Sequence, residues 1–295
     1  MTATDVSPTN VFAAERSVAG HLSDVWTYRE LLANLVRKEL KVKYKNSVLG
    51  FLWSLLNPIS QVIVFTIVFQ IVLKSGIPYF PIFLLSGMLA WNLFALSLAG
   101  ATASITGNHQ LVNKVYFPRE ILPLAAVGAN CVHFLLQSIV LLATITITGV
   151  GFDWRWVWLV VPALAVLLLL TSALAILLSA VNVYARDTQH LLEVVLMAWM
   201  WMTPLVYQWR LPADKLAERD LPSWLVLLNP IVSITVTLQR ALYQQHTVGD
   251  LPMLPVDGQW WYLRNLGIVG AFAVLLFILA MRLFHRLEGN FAEEL

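Results

Sequence analysis

Apolar runs of about 20 residues, the length a helix needs to cross a hydrocarbon core of roughly 30 Å, recur along this 295-residue chain. They fall at about residues 51–73, 80–105, 121–148, 156–181, 191–207 and 266–284. Charged residues make up only 12% of the sequence and hydrophobic ones 59%, where a soluble domain carries about 25% charged residues. That is too little polar side chain to clothe a water-exposed surface, and the mean hydropathy of +0.72 agrees. The bilayer is the solvent for most of the chain. The expected fold class is an all-α integral membrane protein of six transmembrane helices.

The connectors carry the rest of the information. Residues 1–25 are polar and mixed, with Pro8 and no signal-peptide core, and read as a mobile cytoplasmic tail. Residues 26–46 read as an amphipathic helix. Tyr28, Leu31, Leu32, Leu35 and Val42 share one face, and Glu30, Asn34, Arg37, Lys38, Lys41 and Lys45 share the other. A basic wet face over an apolar one fits a helix lying in the membrane interface against anionic headgroups. The alternative is the solvated face of a soluble helix, and the apolar run that follows at 51 favours the interface.

Asn57 and Pro58 stand near the start of the first run, where proline is tolerated. The second carries Ser86, Gly87, Ser97, Ala99, Gly100, Ala101, Ala103 and Ser104, small residues that let helix backbones pack closely. A polar segment at 108–120 interrupts the pattern, and Pro118 and Pro123 bracket the restart of helix. Only residues 182–190 separate the fourth and fifth runs, which makes them an antiparallel hairpin. Segment 208–264 is the longest connector and contains five prolines, yet 224–243 is too apolar for an ordinary loop. It reads as a pair of short re-entrant or interfacial helices rather than a seventh span, since irregular backbone at membrane depth survives only where protein or water satisfies it. Residues 285–295 form a charged tail.

Placing both termini in the cytoplasm puts 12 of the 19 Lys and Arg residues inside, with the dense Arg37 to Lys45 cluster against the first span. Trp154, Trp156, Trp158, Trp260 and Trp261 then form a belt at the outer interface.

Several chemistries are excluded. A net charge of +2 with no single basic patch gives nucleic acid no surface. The lone Cys131 rules out an intrachain disulfide framework and a Cys-rich metal site, and no metal ligand set is visible. No Gly-x-x-x-x-Gly-Lys-Ser/Thr loop is present, so the chain does not cradle ATP in that manner, and no hydrolase or zinc-protease motif occurs. Asp214, Glu218 and Asp220 read as a solvated face. Acidic residues are missing from the span interiors, and His133, the clear mid-span titratable group, lacks an acidic neighbour. It reads as a hydrogen-bonded packing residue before a proton relay. Energy for transport has to enter from another chain.

The polar connectors together resemble the permeases of ABC polysaccharide exporters, the Wzm-like family that moves O antigens, capsules and teichoic acids. The resemblance covers nearly the whole chain after residue 25. It rests on Tyr-Arg-Glu-Leu-Leu at Tyr28, Lys-Val-Lys-Tyr-Lys-Asn-Ser-Val-Leu-Gly at Lys41 and Leu-Asn-Pro at Leu56. It continues with Asn-Lys-Val-Tyr-Phe-Pro-Arg-Glu-Ile-Leu-Pro-Leu from Asn113, Asn-Val-Tyr-Ala-Arg-Asp-Thr from Asn182, Thr-Pro-Leu-Val-Tyr from Thr203, and Leu-Asn-Pro-Ile from Leu228 with Arg240 beyond. Each piece is short. Their order around the spans is what makes the combination specific.

The resemblance implies a type 2 ABC exporter fold: a homodimer of permeases joined to two ATPase subunits that hold ATP and Mg, exporting a polyprenyl-diphosphate-linked polysaccharide from a bacterial cytoplasmic membrane. Galactan of the actinobacterial cell wall is the nearest candidate polymer, with O antigen and teichoic acid behind it. By the same analogy the helix with Arg37, Lys38, Lys41 and Lys45 is the interface helix. Lys114, Phe117, Arg119 and Glu120 then sit in the ATPase-coupling segment, the charges offering charge-assisted contacts and Phe117 an apolar plug. The other reading of that segment is a loop whose charges face water. Arg186 and Asp187 pair with each other, orient their loop or touch the ATPase. Segment 208–264 resembles an external gate, which makes Trp199, Trp201, Tyr207, Trp209 and Trp224 candidates for a sugar path, against an interfacial belt or plain packing. A small-lipid or drug exporter of the same fold is one alternative, and a membrane-bound sugar-modifying enzyme another.

Overall fold

The computed structural model describes residues 25–115 and 117–294, so the predicted tail falls, except for Val25, outside the described residues. Helix dominates. In chain order come α1 (Arg29–Tyr44), α2 (Trp53–Thr66), α3 (Phe80–Thr102), the short α4 (Ser104–Gly107) and α5 (His109–Lys114), then α6 (Ile121–Thr148). A single turn, α7 (Trp154–Val157), leads into α8 (Val160–Tyr184), followed by α9 (Thr188–Trp201), α10 (Arg210–Ala217), α11 (Pro230–Leu242) and α12 (Gln259–Glu288). Before α12 a two-stranded antiparallel hairpin pairs β1 (Thr247–Val248) with β2 (Leu251–Pro252).

Among the described residues, five helical stretches are long and apolar enough to cross a membrane: Gly50–Val72, Phe80–Thr102, Ile121–Thr148, Trp154–Tyr184 and Gln259–Glu288. The predicted span at 191–207 is not among them. α9 ends at Trp201 after 14 residues, which at 1.5 Å per residue is about 21 Å, short of the hydrocarbon core. Pro204 supplies the reason, because it lacks an N–H and biases Thr203 away from helical dihedrals. The last span is longer than its apolar run, starting at Gln259 rather than at 266. The first is continuous but irregular, with a 3₁₀ turn at Gly50–Leu52, buried Pro58 inside α2 and a π turn at Ile67–Val72.

Burial ranks the spans. In α3, 78% of the apolar window is buried within the chain, against 6% for the first span, so α3 is the central post and α2 the outermost. α3 lies against α6, α8, α9 and α11, and α8 runs along α12. The small residues of α3 serve this packing: a Cβ on Gly100 would touch that of Ala126, and one on Gly87 would press on Gln239 and Leu205. Thr102, Thr171 and Thr235, all buried, return their hydroxyls to carbonyls four residues back, which satisfies them without a partner helix.

α11 explains the apolar stretch at 224–243. It is 13 residues long, and Ile231 to Gln239 are buried without a break. Asn229 caps it by accepting from Ile231 N, with Pro230 in the first helical position. At about 20 Å it is too short to span. The remaining pieces of this connector are small. α10 pairs Arg210 with Asp214, and Lys215 with Glu218 just past its end, so two of the acids read as a solvated face lie in or beside a short helix.

A second core forms where one set of span ends converges. Leu35 of α1, Ile105, Val112 and Phe117 of the 104–117 region, Ile121 and Leu122 of α6, Ile176 and Val183 of α8, and Met281 and Phe284 of α12 pack together there. The basic helix and the polar connector at 108–120 are therefore held at the same end of the bundle.

Candidate functional site

α1 docks through Leu31, Leu32, Leu35 and Val36, not through the whole predicted face, since Val42 is exposed. Val36 meets α6 where only glycine leaves room: a Cβ at Gly128 would lie 2.9 Å from Val36 Cγ2. Arg37, Lys38, Lys41 and Lys45 all face outward. Arg37 donates to Asn34 Oδ1, and Lys38 Nζ reaches Asn108 Oδ1 at 2.6 Å. α1 is thus bonded to the first residue of the polar connector, a contact across 70 residues with no motif to announce it.

The coupling candidates divide. Lys114 is exposed at the end of α5, beside exposed Val115. Phe117 is 5% exposed and seated in this chain's own core, so it is an internal plug rather than one offered to a partner. Glu120 is buried as well. Arg119 donates to the Glu288 carbonyl at the end of α12 and lies 5.8 Å from the Phe291 ring centre, which pins the connector to the last helix. Across the same end, Arg186 and Asp187 are both exposed and form no ion pair with each other. Arg186 lines an open pocket of about 420 Å³ with Thr106, His109, Asn182 and Gln189. Of the coupling candidates, Lys114, Arg186 and Asp187 face outward. Among the described residues, Glu120, His285 and Glu288 bring ligand atoms within 4.8 Å of one another, a grouping that includes the contact of His285 Nδ1 with Glu288 Oε1 at 3.1 Å.

At the opposite end the aromatic candidates are held in different ways. Trp199 packs edge-on against Phe94 and donates its indole N–H to Asn229 Oδ1 at 2.8 Å. Asn229 in turn donates to Thr203 Oγ1 at 3.0 Å. One amide therefore caps α11, holds the end of α9 and fixes the break between them. Tyr207 donates to the Trp201 carbonyl, and Trp209 stacks edge-on with Trp261. Trp201 and Trp224 are more than half exposed. The structure brings Trp199, Trp201 and Tyr207 together around the broken segment and places Trp209 against α12.

Arg240, near the end of α11, sits 3.8 Å above the Trp156 ring. Gln244 donates to the carbonyls of Val150 and Gly151, so the α6–α7 connector is tied to the end of α11. His246 lies beside the ring of Tyr243 with its Nε2 3.1 Å from the Tyr243 carbonyl. Burial disfavours its charged form, and the carbonyl partly offsets this.

Comparison with known proteins agrees with this architecture. The family described as "ABC-2 type transporter" matches residues 30–243. The O-antigen export system permease protein RfbA of Myxococcus xanthus is 32% identical over 272 residues, covering 92% of this chain and 98% of that protein. A permease of the same name from Klebsiella pneumoniae is 29% identical over 265 residues, covering 90% of this chain and 94% of the relative. On these matches the chain belongs to the ABC-2 type transporter family, as a multi-pass membrane transport subunit rather than an enzyme.

Proposed function

We propose that the chain is the permease of an ATP-driven exporter that moves polyprenyl-diphosphate-linked polysaccharide outward across a bacterial cytoplasmic membrane, both termini lying in the cytoplasm. The observation that carries this reading is the near full-length match to permeases named for O-antigen export. In this reading ATP and Mg are held by two ATPase subunits, in keeping with a sequence that has no phosphate-binding loop. Their docking surface is the end of the bundle that presents Lys114, Arg186 and Asp187 beside the basic α1. A second copy of this chain covers part of the first span, whose surface carries Ser60 among apolar residues and is hardly buried by this chain alone. Closure of the ATPases then moves α1 and the 108–120 connector as one piece, because Lys38 and Asn108 join them.

Galactan, O antigen and teichoic acid remain the candidate polymers. A deletion strain of each kind, complemented with this permease and its ATPase, identifies the cargo by which polymer returns to the surface. Cross-linking from Lys114 to the co-expressed ATPase tests the docking surface. A chain that purifies without an ATPase and restores no surface polymer would contradict the reading, and transport of small lipids alone would favour the other exporter class.

A further inference from the structure

The end of α1, the first turn of α2 and the middle of α6 enclose an open pocket of about 330 Å³ that the transport reading leaves without a role. Its floor is polar although it lies between apolar helices: Ser54, His133 and Gln137 are each no more than 5% exposed. His133 Nδ1 lies 3.0 Å from Ser54 Oγ and 3.2 Å from Tyr44 Oη, and the two hydroxyls contact each other. A relay in which one hydroxyl donates to the other and the second donates to Nδ1 puts the imidazole N–H on Nε2. This triangle gives buried Ser54 and His133 polar partners and ties α1, α2 and α6 together, a packing role for His133.

Gln137 is different. The residue is 5% exposed and lines the pocket, with no hydrogen bond to another described residue. Its amide is free to bond to what enters the hollow. Lys43 supplies a cation at the rim, Asn57 a second amide, and no carboxylate lines the space. The lip is apolar, with Trp53 and Leu96 both exposed on their outer sides. An ammonium and amide donors around an acid-free hollow fit a phosphate oxygen set, and the exposed lip fits hydrocarbon.

We propose that this pocket seats the phosphate-bearing headgroup of a membrane lipid, with its chain lying over Trp53 and Leu96. Two sources share that chemistry. If the lipid is the polyprenyl diphosphate carrier, the inference rests on the export reading and makes the pocket a waiting position for cargo. If it is an anionic phospholipid, the pocket anchors the interface helix to the bilayer whatever is transported.

The test uses the permease–ATPase complex in detergent, with lipid retention read by native mass spectrometry after adding polyprenyl diphosphate or phosphatidylglycerol. Loss of one charge-assisted contact corresponds to about tenfold in affinity. Lys43→Gln, on the exposed rim, and Gln137→Leu, in the floor, are each expected to lower retention by that factor. A loss confined to polyprenyl diphosphate supports the site and names the carrier, and an equal loss of both lipids supports the site with bulk phospholipid as occupant. Unchanged retention of both lipids in both variants overturns the proposal while leaving export intact. Failure of the wild-type complex to move any polymer overturns the export reading, and the retention result still decides the pocket.

Discussion

Lys38 and Asn108 form one hydrogen bond, 2.6 Å long, between a helix lying beside the bundle and the connector that begins after α4. The Asn108 amide donates its Nδ2 to the Ser104 carbonyl, which turns Oδ1 toward the lysine. Removing the bond with Lys38→Ala is expected to cost about 1 kcal/mol or less, because an exposed hydrogen bond is exchanged for one to water. Its effect on transport is expected to be larger, lowering polymer moved per ATP severalfold with the ATPase rate retained. Flux and hydrolysis measured on the same vesicles check this. An unchanged ratio removes the bond from the coupling route.

Gly128→Ala places a methyl carbon 2.9 Å from Val36 Cγ2, and neither the β-branched valine nor the α6 backbone yields easily. The expected cost is about 1–3 kcal/mol, read as a lower unfolding temperature and faster proteolysis after α1. Adding Val36→Ala is expected to restore most of it. Equal stability of the single and double variants would show that α1 does not dock there.

Asn229→Ala removes a helix cap and leaves the Trp199 indole without its acceptor. Caps are worth about 0.5–2 kcal/mol, and the loss is expected at the upper end. Hydrogen exchange is expected to rise in residues 202–209 and in the first turn of α11, with α6 unaffected as an internal control.

Two tryptophans separate packing from passage. Trp201 is half exposed, so Trp201→Ala is expected to change stability by less than about 0.5 kcal/mol while reducing polymer flux. Trp209 stacks on Trp261, and its replacement by alanine is expected to cost about 0.5–1.5 kcal/mol from the aromatic pair alone. Thermal unfolding beside flux assays distinguishes them, and normal flux in Trp201→Ala takes that residue off the path.

The hairpin at 247–252 is expected to loosen in acid. Burial lowers the pKa of His246, so the folded protein binds its proton less readily than the unfolded chain does. The stabilisation is complete above the ordinary histidine pKa of about 6.5 and declines as pH falls below it. Hydrogen exchange of residues 244–254 at pH 5 and pH 7 measures the effect, and His246→Gln is expected to flatten it.

Some of this fold is written in the chain and some is not. The α6 boundaries are local: Pro118 and Pro123 surround its start, and Gly149 adopts φ +69 just past its end. The stop at Trp201 is not, because Leu205, Val206 and Tyr207 keep the sequence apolar after the helix has broken, and hydropathy reports burial without reporting dihedrals. Phe117 misleads in the same way. Its flanking charges advertise a surface, while the ring turns inward to a core assembled from five distant segments. Lys38–Asn108 and the Tyr44–Ser54–His133 triangle join residues 70 or more apart or across helices, so no window of sequence contains them.

The shortness of α11 also dictates an order of assembly. A helix of 13 residues cannot be left in lipid by the insertion machinery as a span of its own, and its end groups need protein around them. Its neighbours α3 and α8 precede it in the chain, but α12 follows it. The segment therefore completes its packing only when the final span has been made. A ribosome stalled before Gln259 would hold a protein with every earlier span made and α11 still lacking one of its walls.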